Sequence, residues 1–359
     1  MPTLRRYVAR QFGTNMGLML LAFVSLLQLL DLLANADDIV KLHGTGLSAF
    51  LRHAMLNTPE IATVVTPICA LLASLLTLAR LALGNEVLAL KAAGLPYYRL
   101  LWAFAPAALI VGVAHFLVSD QLTPPAARAL LQWDSESPRA KLDTKIKGGF
   151  WIRDGDTLVR VSRVSQRGSE LSGLTLFQRD KRGEVVLRLA AESAGHHDGA
   201  WQLRNVERLA LTQGDLGTIT TVPAMGWNTS LTPRQFSDFV SPASALSLLE
   251  LWRFVTHAGI GSHPGYFYLT WFSKRLSLPI ASFMMVLLAA PVAQSMQRQG
   301  GLVRGIALGV ALGFLYFVAD GFVLTLGEVG TLPPIIAAWS PALLFGLVGC
   351  AFLVRMEGV

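Results

Sequence analysis

The sequence predicts an α-helical membrane protein with six transmembrane helices, three before and three after an inserted antiparallel β domain of jelly-roll type. Three observations carry that prediction. Apolar residues make up 53% of the 359 residues and charged ones only 15%, a profile expected of a bilayer-embedded chain. Six runs reach the ~20 predominantly apolar residues that a helix needs to cross the hydrocarbon core: about 12–33, 60–83, 98–119, 266–293, 302–326 and 333–354. Between the third and fourth runs the apolar pattern changes from helical to strand-like spacing. The expected division is therefore 1–119, 120–265 and 266–359.

The first run is too long for a signal-peptide core and no small-residue cleavage site follows it, so it is expected to stay as a helix. Near the span ends, Arg5, Arg6, Arg10, Arg80, Lys91, Arg99, Arg298, Arg304 and Arg355 fall on one side, against Lys41, Arg52, Lys274 and Arg275 on the other. By the positive-inside rule both termini are expected in the cytoplasm and the β domain outside. The net charge of +7 is scattered rather than clustered, which argues against nucleic acid. Cys69 and Cys350 both sit in apolar runs, so neither a disulfide framework nor a metal site is expected.

Between the second and third spans lies "LARLALGNEVLALKAAGLPYYRL" (Leu78 to Leu100). Asn85 is a good N-cap, Glu86 suits the first turn, Lys91 the last, and Gly94 the left-handed position beyond it. Pro96 forbids continuation. A helix of about eight residues is marginal alone in water. It either rests on the headgroups or fits a groove on a soluble partner, with Glu86 paired to a base there; such a rim pair gives register more than affinity. The chain contains no G-x-x-x-x-G-K-[ST] phosphate loop, so ATP hydrolysis is expected in another chain.

From Gly148 to Trp227 short β-rich bursts alternate with Gly, Asp and Asn, roughly eight strands in about 80 residues, for which a sandwich or jelly roll is the natural packing. Asp154-Gly155 predicts a type I′ hairpin turn, and Asp180 to Gly183 a looser one. His196-His197 read as a solvated turn. After Pro242, "SALSLLELWRFVTHAG" (Ser244 to Gly259) has helical apolar spacing, an amphipathic helix lying on the membrane face or against the β domain.

In the fourth span Lys274 and Arg275 sit at membrane depth, where charge needs a reason. Snorkelling to the headgroups is one reason; attracting anionic lipid groups is another. Gly305, Gly309 and Gly313 of the fifth span form one stripe at i, i+4, i+8, which lets another helix approach closely, within the bundle or beyond it. Asp320, about 24 Å along the helix from Arg304 at ~1.5 Å per residue, reads as interfacial, as do Asp31 and Glu60.

"NEVLALKAAGL", "GFWIRDGDTLVRVSRV", "WNTSLTPRQF" and "GTLPPIIAAWSP", in this order around the β insert, resemble the LptF/LptG permease family of the lipopolysaccharide exporter in the Gram-negative cell envelope. The resemblance covers essentially the whole chain. It implies an inner-membrane ABC transporter permease, multi-pass with a periplasmic jelly roll, that extracts lipopolysaccharide from the inner membrane and passes it to a periplasmic bridge. It implies as partners an LptF paralogue, a dimer of the ATPase LptB and LptC, with no cofactor on this chain and ATP and Mg held by the ATPase. Glu86 matches the family glutamate that engages the ATPase, with Asn85, Lys91 and Gly94 framing it. The first and fifth spans match the lateral gate. Where a relative places a base toward substrate phosphates this chain has Gln28, so Lys274, Arg275, Lys41 and Arg52 become the candidates for that contact.

Within the resembled family the chain could be either of the two paralogous subunits, LptF having the same architecture, and two readings from other classes stand beside this one. A membrane enzyme modifying outer-leaflet lipids would use Asp31, Glu60 or Asp320 as acid or base, but no span clusters ionisable groups. A structural tether would tolerate loss of Glu86.

Overall fold

The computed structural model describes residues 2–86, 89, 92, 97–136, 145–165, 168–180, 183–197, 199–212, 215–216, 218–229, 231–233, 235–236, 242–256, 263–299 and 302–357. They form two compact units: Met1–Asp37, Phe50–Ala126 and Leu269–Val359 in one, Asp38–Ala49 and Ala127–Tyr268 in the other. The sequence places Asp38–Ala49 with the membrane helices; the structure groups it with the β unit.

In chain order the helices are α1 Pro2–Ala34, α2 Ala36–His43, α3 Leu47–Leu83, α4 Tyr97–Leu117, a wide π turn Val118–Leu122, and α5 Thr123–Glu136. Strands β1 Lys145–Asp154, β2 Thr157–Val164, β3 Glu170–Arg179, β4 Val185–His197, β5 Ala200–Thr212, β6 Asp215–Leu216 and β7 Thr220–Trp227 follow, then α6 Leu248–Thr256, α7 Gly265–Gln299, α8 Leu302–Glu328 and α9 Pro334–Glu357. Among the described residues six helices are long and apolar enough to cross a membrane: Arg5–Ala34, Leu47–Leu83, Trp102–Asp134, Gly265–Gln294, Val303–Glu328 and Pro334–Arg355.

The second span begins at Leu47 rather than near residue 60, because Pro59 lies inside α3 instead of ending it. Prolines are tolerated in membrane helices when the backbone groups they free find other partners, and here those partners are visible. Pro67 has no N–H to give the Thr63 carbonyl four residues earlier; His115 of α4 bonds that oxygen through Nε2 at 2.9 Å, and its Nδ1 meets Ser282 of α7 at 2.9 Å. At the π turn the Thr123 N–H bonds back to the Val118 carbonyl, and the next residue is Pro124. The Ser119 carbonyl therefore has no helical donor left. Arg275 of α7 donates to it and to the Ser119 hydroxyl.

Around these polar plugs the helical core is continuous. Val8, Phe12 and Met16 of α1 pack with Cys69, Leu71 and Leu75 of α3, Phe104 of α4, Met285 and Ala289 of α7, Tyr316 of α8 and Phe345 of α9. Phe12 meets Phe104 edge-on at 5.8 Å, and Tyr316 meets Phe345 at 5.4 Å. Gly112 lets α4 cross α7: a Cβ there would lie 2.9 Å from the Pro279 carbonyl oxygen, so only glycine fits the crossing.

The β unit is antiparallel throughout and seven-stranded among the described residues, in the order β1-β2-β3-β4-β5, with β6 and β7 both pairing β5. Val159 and Val161, Leu174 and Leu176, and Leu189 and Ala191 are buried at every second position, the pattern of a half-covered sheet. Leu203 and Val206 of β5, three apart, are buried as well, with Asn205 at a φ of +52° between them. The first hairpin departs from expectation. Asp154 pairs Thr157, so the central residues are Gly155 and Asp156 rather than Asp154 and Gly155, and only Gly155 has positive φ (+58°). Glycine at the first central position is the II′ pattern, not I′. His196 and His197 are the last residues of β4, paired with Trp201 and Ala200; they belong to a strand end and not to a turn.

Candidate functional site

At the end of α3, the Gly84 N–H bonds to the Arg80 carbonyl and the Asn85 N–H to the Ala82 carbonyl, both at 3.0 Å. Asn85 has a φ of +57°. This corrects the simple N-cap expectation, since an N-cap residue is normally extended: Asn85 is a left-handed joint that stops α3. It still starts the next segment, because its carbonyl accepts from the Ala89 N–H at 2.9 Å, and residues 86, 89 and 92 are helical. Lys91 and Gly94 lie outside the described residues. Glu86 is half-buried and accepts a hydrogen bond from the Tyr7 hydroxyl of α1 at 3.0 Å. Two turns further along α1, the buried Asn15 donates to Thr77 Oγ1 at 2.8 Å and accepts from Arg80 Nη1 at 2.9 Å.

The bases at membrane depth do not face lipid. Lys274 is 9% exposed and Arg275 3%; Lys274 is ion-paired with Asp320 of α8, and Arg275 holds the Ser119 oxygens. The snorkelling expectation for this pair is corrected, because the two cations neutralise or satisfy groups inside the bundle. Asp320 is likewise a partner of a buried ammonium rather than a solvated interfacial acid. Beside it, Trp271 of α7 donates to Glu328 of α8 at 2.7 Å. Arg52 and Lys41 are exposed, the latter 3.7 Å from Asp38.

The far end of α1 is tied to the start of α3. Thr58 Oγ1 donates to Gln28 Oε1 at 3.5 Å, and His53 Nε2 meets Asp31 Oδ2 at 3.0 Å. On α8, Gly305, Gly309 and Gly313 are all buried. A Cβ at Gly309 would collide with Leu75 of α3, and one at Gly313 with Ile68 of the same helix. The stripe therefore seats α8 against α3 of its own chain.

In the β unit the two most distinctive sequence motifs meet. Thr229 of "WNTSLTP" donates to Asp154 of "WIRDGD", and the Leu231 carbonyl accepts from Trp201 Nε1 at 2.8 Å. Trp201, Trp227 and Phe236 pack into one aromatic cluster. These contacts join the segment after β7 to the end of β1 and to β5. Helix α6 starts with a capping box: the Ser247 N–H donates to Glu250 Oε2 at 2.9 Å, and Arg128 of α5 pairs with the same carboxylate. Burial pushes the Glu250 carboxyl up, but the Ser247 N–H and Arg128 outweigh it and hold it below its ordinary value. Phe254 of α6 packs on the sheet core.

Sequence reasoning missed the ties of Tyr7, Asn15, His115 and Arg128. For His115 a signal existed: a proline inside a span frees the carbonyl four residues before it, so a buried polar side chain is required elsewhere.

Six spans divided three and three around an antiparallel β unit, with a jointed helical segment after the second span and no phosphate loop in the sequence, define the membrane subunit of a transport machine. The sequence matches the family "Lipopolysaccharide export system permease LptF/LptG" over residues 6–355, and the chain belongs to that family. It is 24% identical over 358 residues, 98% of each chain, to the Lipopolysaccharide export system permease protein LptG of Escherichia coli (strain K12). It is 25% identical over 293 residues, 81% of each chain, to the protein of the same name from Haemophilus influenzae. The family is one of permease subunits in the inner membrane, not of enzymes.

Proposed function

We propose that the chain is the LptG-type permease of a lipopolysaccharide exporter, paired with an LptF paralogue above a dimer of the ATPase LptB and joined by LptC. Both termini lie in the cytoplasm and the β unit in the periplasm, in keeping with the Lys and Arg bias of the span ends. ATP and Mg are bound by LptB. Nucleotide-driven closure of that dimer moves the segment that begins at Asn85, the cavity between the two permeases narrows, and the lipid passes toward the apolar face of the sheet. With Lys274 and Arg275 engaged inside the bundle, Arg52 and Lys41 are the bases offered to lipid phosphates.

The observation that carries this reading is the match of 6–355 to the permease family together with the position of Glu86 just past the joint that ends α3. The test is co-expression with the partner permease and ATPase, followed by measurement of ATPase retention and lipopolysaccharide release. Glu86→Ala is expected to lower both; full retention and release would sink the reading.

A further inference from the structure

Among the described residues, the segment expected to meet the ATPase is connected to α1 and α3 in two ways of very different stiffness. Along the chain it follows Gly84 and Asn85, where the left-handed φ of +57° interrupts the helical hydrogen-bond ladder of α3. A displacement of Glu86 is therefore poorly carried into α3 as a rigid rod. Across space, Glu86 is bonded at 3.0 Å to Tyr7, 79 residues away on α1. That hydroxyl donates to a carboxylate, a charge-assisted bond. The first turns of α1 are themselves rigid, with Val8 and Phe12 at 0% exposure and Met16 at 4%. Eight residues on, about 12 Å along the helix, Asn15 is pinned to Thr77 and Arg80.

We propose that Tyr7 is a positioning residue for Glu86, and that through it the coupling segment drives α1 directly, with Asn15 as the fulcrum. The proposal rests on the reading that Glu86 engages the ATPase. A carboxylate accepts on two oxygens, so the bond to Tyr7 leaves it the capacity to receive a base from the partner. The hydroxyl fixes where the carboxylate stands, and a pull on the carboxylate tilts α1 about the Asn15 tie.

The test uses the whole complex, co-expressed with its partner permease and ATPase and reconstituted in proteoliposomes containing lipopolysaccharide. ATPase retention, ATP turnover and lipid released per ATP are measured for Tyr7→Phe, Glu86→Gln and the double variant. Tyr7→Phe keeps the ring, so the expected result is unchanged ATPase retention with lipid released per ATP reduced about three- to tenfold, the worth of one exposed hydrogen bond. On the Glu86→Gln background the same change is expected to cost less, since the amide oxygen still accepts from Tyr7 but without the charge that strengthens the bond. Wild-type output from Tyr7→Phe overturns the proposal, as does a loss that simply multiplies with that of Glu86→Gln, which a merely structural tyrosine would give. Loss of the ATPase on Tyr7→Phe overturns it too, by placing Tyr7 in the docking surface. If Glu86→Ala retains full ATPase and export, the coupling reading itself falls, an outcome distinct from these.

Discussion

Helices α3 and α7 differ from α1 and α8 in how they are held. Within their apolar windows, 67% of residues are buried for the second and fourth spans, against 11% and 17% for the first and fifth. The deep pair contains prolines, Pro59 and Pro67 in α3 and Pro279 and Pro291 in α7, and the carbonyl that Pro67 frees is taken by His115 of α4. The bare pair has no interior proline and lends one apolar face to the core, Val8, Phe12 and Met16 on α1 and Tyr316 on α8, beside polar ties at Tyr7, Asn15, Gln28 and Asp31 on α1 and at Asp320 on α8, and the glycine seam. The difference teaches that the deep helices are fixed by backbone need, whereas the outer ones are fixed by contacts that can be broken one at a time. That suits elements expected to line a gate.

The largest expected effect lies where the two classes meet, at Lys274 and Asp320. Asp320→Ala leaves a buried ammonium without its counter-charge, a loss of about 3–5 kcal/mol. Thermal unfolding in detergent should show it, and the paired exchange Lys274→Met with Asp320→Leu should recover most of it. If Asp320→Ala unfolds at the wild-type temperature, the pair is not buried as described. Next comes the proline logic. His115→Phe removes the donor to the Thr63 carbonyl and should cost about 1–3 kcal/mol. Pro67→Ala in the same chain, by restoring the helical N–H, should reduce that cost, and an undiminished cost would break the account of the deep helices.

The glycine seam gives a comparable but more local effect. Gly313→Val overpacks the contact with Ile68 and should cost about 1–3 kcal/mol; a compensating Ile68→Ala should relieve it if α8 truly seats on α3. The smallest effect is in the β unit. Because Glu250 is held below its ordinary value in the folded protein, its contribution is present above the unfolded-state pKa and is lost as pH falls through the folded one. Wild type should therefore exceed Glu250→Gln in unfolding temperature at neutral pH. The gap should close on acidification, and a gap independent of pH would refute the Arg128 and Ser247 contacts.

Much of this was legible in the sequence for a simple reason: bilayer thickness sets a length that apolar runs must meet, and strand alternation has a period that helices lack. The start of the second span at Leu47 is not marked in the sequence, because the apolar run begins only near residue 60 and a proline such as Pro59 is tolerated inside a membrane helix. Lys274 and Arg275 were legible as needing a reason and illegible in which one, since their partners Asp320 and Ser119 lie on other helices. The joint at Asn85 was half legible. An asparagine before a glutamate fits an N-cap and a left-handed stop equally well, and only the backbone angle decides between them. The motifs "WIRDGD" and "WNTSLTP" stood out as specific; that they meet each other required seeing Thr229 against Asp154.

The Ser119 carbonyl and the guanidinium that completes it are 156 residues apart in the chain. At synthesis rates of about 5–20 residues per second, the first three membrane helices wait on the order of ten seconds before the group that satisfies them leaves the ribosome. During that interval the nascent half must keep an orphaned oxygen hydrated or borrowed by another neighbour. The N-terminal half of this permease is thus left unfinished until the fourth span arrives, and that half made alone should be less stable than the same half made together with the other.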